Sequence, residues 1–319
     1  MNLRDWRDEP AGVLARIYTL ERARALGALQ WDTAPAWREV ERARTTWGLP
    51  GLLAVDDDGT VHGMAFYVVE DDWMDVGGLT SDDVQATDAL LDGILAAAQA
   101  ANVSTVRTLV HEGPEALHSG LRTRGFQVES HYYLSRRCAP APRPIAARAL
   151  GSWTDGDVEP AARLFERAYG QKAGALFAPH GRPAEWTRYV QNVVTHPGCG
   201  TLNPAVTAVL RDGGDLRGVA LVTDIGPRTA HLVQLAVEPH LRRGGLGRAL
   251  VEEVCDRLCG RQYDAMTLLV AAGNAPARAL YHDEGFRHDA TFLAAILHRT
   301  PAGATRGDAL AAPDATRHP

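Results

Sequence analysis

The chain has 319 residues, and its 33 Lys and Arg against 39 Asp and Glu give a net charge of −6. That length is long for one domain and suits two, and the acidic balance excludes a general nucleic-acid binder, whose signature is a basic face. No apolar run approaches the roughly 18 residues of a membrane span, and the polar start Met1 to Asp8 lacks a signal-peptide core, so a soluble, cytoplasmic protein is expected.

Taken in chain order, the first clear element is Leu52 to Tyr67, two strand-like runs around the turn Asp56-Asp-Asp-Gly59, which reads as a hairpin. Arg122-Thr-Arg-Gly-Phe126 then closes a helix-to-strand passage. Cys138 to Ile145 alternates Pro with small residues and reads as an extended linker. Beyond it, Asp155 can cap a helix with Val158, Ala161, Ala162, Leu164, Phe165 and Ala168 on its apolar side, and Trp186, Tyr189 and Val193 mark a second helix before Pro197. A hairpin follows, Ala205 to Leu210 turning through Arg211 to Asp215 into Leu216 to Thr223. His231 to Val237 is a third strand, Leu246 to Leu258 a helix, Met266 to Val270 a strand, Ala275 to Glu284 a helix and Thr291 to Leu297 a last strand. Pro301 to Pro319 has almost no large apolar residue and is expected to be a disordered tail.

The chemistry concentrates where the third strand meets its helix. Gly244, Gly245 and Gly247 open that helix, so the backbone can approach an anion and unpaired first-turn N–H groups point at it along the helix dipole. Arg242, Arg243 and Arg248 add positive charge. A P-loop is excluded because Arg248-Ala249 stands where Lys and Ser or Thr are needed, and a dinucleotide fingerprint fails because Leu250 replaces its third glycine. An ordinary strand-to-helix turn would use the same glycines. Cys138, Cys199, Cys255 and Cys259 have no metal spacing; Cys255 and Cys259 read as apolar fillers, and no metal is expected.

About forty residues downstream stands Asn274-x-x-Ala277-x-x-Leu280-Tyr281-x-x-x-Gly285-Phe286. Together with Arg242-x-x-Gly245-x-Gly247, in this order, it resembles the GCN5-related N-acetyltransferase (GNAT) superfamily over residues from about 145 to 298. The resemblance implies an α/β fold with a mixed, mostly antiparallel sheet, and acetyl-CoA as co-substrate. It places the cofactor on Arg242, Arg243, Gly244, Gly245, Leu246, Gly247 and Arg248, on the main chain of Leu235 and Val237, and on Asn274, which also suits a helix N-cap. Tyr281 takes the general-acid role for the leaving thiolate, against the alternative of a buried aromatic anchor. His231 falls where the family carries a base on the corresponding strand, and a histidine near its usual pKa of about 6.5 could take an ammonium proton. A hydrogen-bonded strand histidine of no catalytic consequence is the competing reading, with Asp224 and Glu238 in reserve.

Residues 1–140 echo this pattern in the hairpin at 52–67 and in Gly125-Phe126. A gapless register places the cradle at Leu79 to Thr87, which has no glycine and carries Asp82 and Asp83; Leu121 stands for Tyr281 and Pro114 for Asn274. Two carboxylates would repel a pyrophosphate. The expected organisation is two tandem GNAT-like domains, a degenerate non-catalytic one at 1–140 and a catalytic one at 141–300, as a monomer imitating a dimer or as a homodimer. The expected reaction is acetyl transfer to a primary amine of a small molecule, with an acceptor wall at Tyr169 to Tyr189 that contains Phe177, His180, Arg182 and Trp186. A protein N-acetyltransferase and a non-enzymatic CoA-binding module are the alternatives.

Overall fold

The computed structural model describes residues 1–112, 115–139, 150–170, 178 and 181–300. Most of the linker, the 301–319 tail, Pro114, Phe177 and His180 lie outside them. The N-terminal half runs β1 (Asn2–Asp5), α1 (Ala11–Leu29), α2 (Ala34–Trp47), β2 (Gly51–Val55), β3 (Val61–Glu70), β4 (Trp73–Ser81), α3 (Val84–Ala100), β5 (Thr105–His111), α4 (Glu115–Thr123) and β6 (Gln127–Arg137). The C-terminal half runs β7 (Gly151–Ser152), α5 (Val158–Tyr169), α6 (Pro183–Thr195), β8 (Thr201–Leu202), β9 (Ala208–Asp212), β10 (Asp215–Gly226), β11 (Thr229–Val237), α7 (Leu246–Gly260), β12 (Ala265–Ala271), α8 (Ala275–Asp283) and β13 (Arg287–His298).

The two halves are copies of one pattern. A shift of 160 positions carries β5 onto β12 and α4 onto α8, end for end. Their sheets are fused into one of 13 strands, ordered β1-β2-β3-β4-β5-β13-β6-β12-β11-β10-β9-β7, with β8 on β10. The placement of the last strands was not foreseen: β13 pairs with β5 from Phe292↔His111 to His298↔Thr105, and β6 pairs with β12 from Ala265↔Arg137 to Ala271↔His131. Each half therefore lends its final strand to the other half's sheet, and β6 and β13 pair antiparallel at the centre.

Helices cover both faces, which is why the central strands are apolar on both sides: Val219 to Val222 of β10 are all buried. On one face, α3 and α4 close a core around Leu90, Leu91, Ile94 and Leu121, and α7 and α8 close another around Leu250, Val254, Leu258 and Tyr281. On the other, α1 and α2 pack with Trp6, Leu14 and Met64, and α5 and α6 with Phe165, Trp186 and Val190. Cys255 lies inside the α7–α8 core, in agreement with its reading as a filler. The helix expected to be capped by Asp155 begins instead after a 3-10 turn closed by Thr154 and Asp157, whose carboxylate accepts from the Thr154 backbone N–H at 2.6 Å. Among the described residues no helix is long and apolar enough to cross a membrane, and no group of three or more His, Cys, Asp and Glu could hold a metal.

Candidate active site

The site begins as a gap in the sheet. β11 and β12 run parallel and pair from Thr229↔Ala265 to Leu232↔Leu268, then separate. The separation starts at a bulge: Leu221 faces Gln234 and Val222 faces Leu232, so Val233 is an extra residue that bends β11 away. Leu235 and Val237 lie along the opened edge, where their main-chain groups have no partner on β12.

At the mouth of the gap the chain makes a short 3-10 turn (Pro239–Leu241) and enters α7. Gly245 is the N-cap at φ +79, a left-handed conformation that L side chains rarely adopt, and no side chain caps the helix. Ala249 N–H donates back to Gly245 O at the start of the helix, so the N–H groups of Leu246, Gly247 and Arg248 form the first turn of α7, where a helix offers its amides to a ligand. The three glycines are not equivalent. A Cβ at Gly247 would meet Leu280 at 3.7 Å and Val237 at 3.9 Å, and one at Gly244 would meet Leu241 O at 3.5 Å; these are ordinary contacts. Only Gly245 is demanded by the fold.

The arginines divide the same way. Arg242 is structural: it donates to Val237 O at 3.2 Å and to Ala168 O, tying the cradle to α5. Arg248 reaches Asp283 at 2.9 Å and Glu284 at 3.4 Å, bracing α7 against α8. Arg243 is exposed, sits at φ +65 and makes no ion pair among the described residues.

Asn274 caps α8, accepting from Ala277 N–H at 3.2 Å, so its helix-cap reading holds. Tyr281 on α8 is buried and packs edge-on against Phe286 at 5.5 Å, and its hydroxyl hydrogen-bonds to no described residue. Burial pushes its phenol well above the ordinary value.

His231 lies nearer the closed end of the β11–β12 gap. Its Nδ1 is 2.8 Å from Thr267 Oγ1, and that hydroxyl is 3.3 Å from Ala230 O. A hydroxyl that donates to Ala230 accepts from His231, which puts the imidazole proton on Nδ1 and leaves Nε2 as the acceptor. The ring is buried, and desolvation alone pushes its pKa down to about 4. The expectation of a histidine near 6.5 is therefore corrected: the imidazole is neutral throughout the physiological range.

The reserve bases fall away. Glu238 is buried and held by Arg167 at 2.8 Å and Arg217 at 3.8 Å. Asp224 stands at the far end of β10, bonded to Asn203 and Tyr263.

Four residues take roles that the sequence did not assign to them. Tyr169 of α5 donates to the Leu235 carbonyl at 2.9 Å, and Tyr189 of α6 reaches Gln234 at 3.5 Å. Their helical spacing marked an apolar face but not hydroxyls turned toward β11. Trp31 and Tyr133 flank His231, with ring centroids at 5.5 and 5.9 Å; both come from the N-terminal half, 200 and 98 positions away in sequence. Of the acceptor wall, Trp186 is fully buried under α5 and serves as core, and Arg182 faces Glu185 at 3.8 Å.

The N-terminal half keeps the gap but not the cradle. β4 and β5 pair only from Trp73↔Thr105 to Val76↔Thr108, and β4 carries a bulge at the corresponding place. Where the C-terminal half has eight residues, Glu238–Gly245, between strand and helix, this half has two, Asp82 and Asp83. The Asp83 carboxylate accepts from Ala86 N–H at 2.9 Å and takes up the helix terminus itself, and Asp82 pairs with His62 at 3.0 Å. The cradle placed by the gapless register is thus a deletion: Leu79 to Ser81 belong to β4 and Thr87 to α3. Leu121, at the position of Tyr281, is fully buried.

Residues 172–286 match the acetyltransferase (GNAT) family. The chain is 32% identical over 210 residues to a mycothiol acetyltransferase from Clavibacter michiganensis, covering 62% of this chain and 63% of the relative. It thus spans under two thirds of the length of that relative. Over 65 residues it is 43% identical to the ribosomal protein bS18-alanine N-acetyltransferase of Escherichia coli, covering 20% of this chain and 44% of that protein. Among solved structures, a GCN5-related N-acetyltransferase from Sphaerobacter thermophilus superposes with a TM-score of 0.67 at 18% identity, over 93% of this chain and 95% of that one. A tandem GNAT protein from the clavulanic acid biosynthesis pathway superposes with a TM-score of 0.58 at 15% identity, over 94% and 100%. Both superpositions extend over the two halves, so the fold is shared along nearly the whole chain.

Proposed function

We propose that the chain is an acetyl-CoA-dependent N-acetyltransferase whose acceptor is a primary amine on a small molecule, with the reaction confined to the C-terminal half. The observation that carries this reading is the uncapped N-terminus of α7 at the mouth of the β11–β12 gap, with Tyr281 buried on the adjoining helix.

The residues fit the cofactor. The N–H groups of the first turn of α7 suit a pyrophosphate, since no side chain caps the helix among the described residues, and Arg243 and Arg248 add charge beside it. The edge of β11 at Leu235 and Val237, which β12 leaves unpaired, suits an amide-bearing arm lying beside it, in competition with Tyr169 and Arg242 for the two carbonyls. Acetyl-CoA supplies an acyl group activated as a thioester. Main-chain N–H donors on the opened edge would polarise its carbonyl, and Tyr281 would hand its proton to the sulfur as the C–S bond breaks. The amine nitrogen forms the new C–N bond and gives up a proton, which restores the phenol. An acceptor that arrives as an ammonium carries one proton more, and His231, neutral and with Nε2 as its acceptor, would take that proton and relay it to solvent.

The test is release of free thiol from acetyl-CoA with a panel of small amines and of peptides with free N-termini. Transfer to small amines supports the proposal. Transfer to peptides alone would make the chain a protein N-acetyltransferase, and tight acetyl-CoA binding with no transfer to any member would leave a regulatory module.

A further inference from the structure

We infer that the N-terminal half supplies positioning residues for the C-terminal site: Trp31 and Tyr133 hold the His231 ring, and the α1–α2 loop is the clamp that keeps Trp31 there. This rests on the proposed role of His231.

The clamp is built from independent contacts. α1 ends in a left-handed Gln30, and Trp31 N–H returns to Ala25 O at 3.3 Å, which turns the chain sharply toward the C-terminal half. Asp32 N–H then donates to Ile225 O of β10 at 2.7 Å, and Gln30 O lies 3.4 Å from where a Cβ on Gly226 would stand. The Asp32 side chain is fixed in turn by Arg22 at 2.7 Å and by Ala34 N–H at 3.1 Å, so one residue fastens α1, α2 and β10 together. From β6, the Tyr133 hydroxyl donates to Leu29 O at 2.8 Å while its ring stacks on His231 at an interplanar angle of 13°. β6 is the strand that the N-terminal half lends to β12, so the exchange of final strands is what delivers Tyr133 to this position.

The surroundings of His231 explain what the clamp does. Thr267 faces it from β12, Thr223 from β10, Tyr133 from β6 and Trp31 from the loop. Tyr133 is the one titratable neighbour among these, and no charged group acts on the ring. Two aromatic faces exclude water, fix the ring plane and leave Thr267 to select the tautomer. A half that has lost its own cradle would thus still be required for catalysis in the other.

The variants are Trp31→Ala, Trp31→Phe and Tyr133→Phe in the full chain, with two readouts. The first is the titration of the His231 imidazole by NMR, which requires no turnover. Wild type and Trp31→Phe are expected to titrate well below the ordinary value of about 6.5, and Trp31→Ala to move upward by about one pH unit or more as water reaches the ring. The second is steady-state acetyl transfer: in Trp31→Ala, kcat/KM for the amine is expected to fall by about 10-fold or more with KM for acetyl-CoA unchanged, and Trp31→Phe to recover most of it. A folded Trp31→Ala protein with the wild-type titration would overturn the inference. So would one that shifts the titration yet keeps the wild-type amine kinetics. If Trp31→Ala does not fold, Tyr133→Phe keeps both rings and removes only the hydroxyl on Leu29 O, and the same readouts decide. Should wild type acetylate no amine, the proposed function fails, while the NMR titration still tells whether Trp31 and Tyr133 shield His231.

Discussion

The sharpest test of the cradle is Gly247→Val. Gly245 is the wrong place to probe, because its φ of +79 would cost any L side chain about 1–2 kcal/mol before a ligand is considered. At Gly247 a Cβ meets Leu280 and Val237 only at 3.7 and 3.9 Å, so a side chain fits the protein and the variant should fold. What the branched side chain takes away is space over the N–H groups that open α7. With acetyl-CoA at about 100 times its Kd, binding stabilises the native state by about 2.7 kcal/mol; a 100-fold loss of affinity leaves about 0.4 kcal/mol. In a chain of this size the first figure corresponds to a rise in Tm of about 4 °C and the second to about 0.6 °C. Differential scanning fluorimetry with and without acetyl-CoA reads the difference directly, and circular dichroism confirms the fold. A folded Gly247→Val protein with the wild-type shift would refute the cradle, because it would mean that the ligand does not come close to the start of α7.

Calorimetry on the full chain is expected to give one acetyl-CoA per chain, since Asp83 occupies its own helix terminus and only Asp82 and Asp83 span the loop; a stoichiometry of two would overturn the degenerate reading of the N-terminal half. Tyr281→Phe is expected to keep acetyl-CoA affinity, because the hydroxyl supports no described residue, and to lower turnover by ~10²-fold; wild-type turnover measured where chemistry limits the rate would remove Tyr281 from the acid role. His231 makes a separate prediction about acid stability. Its folded pKa of about 4 lies below the unfolded value of about 6.5, so the unfolded chain binds the extra proton and stability is lost as pH falls between them, by about 3 kcal/mol in all. His231→Gln is expected to flatten that part of the urea-unfolding profile, and an unchanged slope would show that the ring is not buried neutral.

How much of this was legible depended on whether the signal was local. Arg242-x-x-Gly245-x-Gly247 and the Asn274 to Phe286 run are contiguous, and the helix-opening turn and α8 stand where they predicted. The strands of the C-terminal half were readable because hairpin turns and apolar runs are short-range features. The protonation of His231 was not readable, because its pKa is set by residues from β12, β6 and the α1–α2 loop that meet only in the fold. The missing cradle in the N-terminal half was legible as an absence of glycine. Its cause, a shortened loop, was hidden by counting without gaps.

The exchange of final strands was invisible for a further reason. β6 and β13 hold equivalent places in the two halves, 127–137 falling on 287–297 under the shift of 160 positions, and neither strand's own pattern distinguishes β5 from β12. Register within a strand is fixed by which residues face the core, but nothing in a single strand's pattern says whose core it is. The choice is made at the centre of the sheet, where β6 and β13 pair with each other from Arg287↔Ser135 to Ile296↔Gln127. Once they pair in that order, β5 and β12 each find the other half's strand beside them, and neither half contains a complete sheet. A degenerate copy joined in this way cannot be lost without exposing the edge of β12, three residues of which lie beyond its pairing with β11 at the gap where acetyl-CoA is proposed to bind. The N-terminal half is retained by the architecture first. Trp31 and Tyr133 then show what the retained half does at the site.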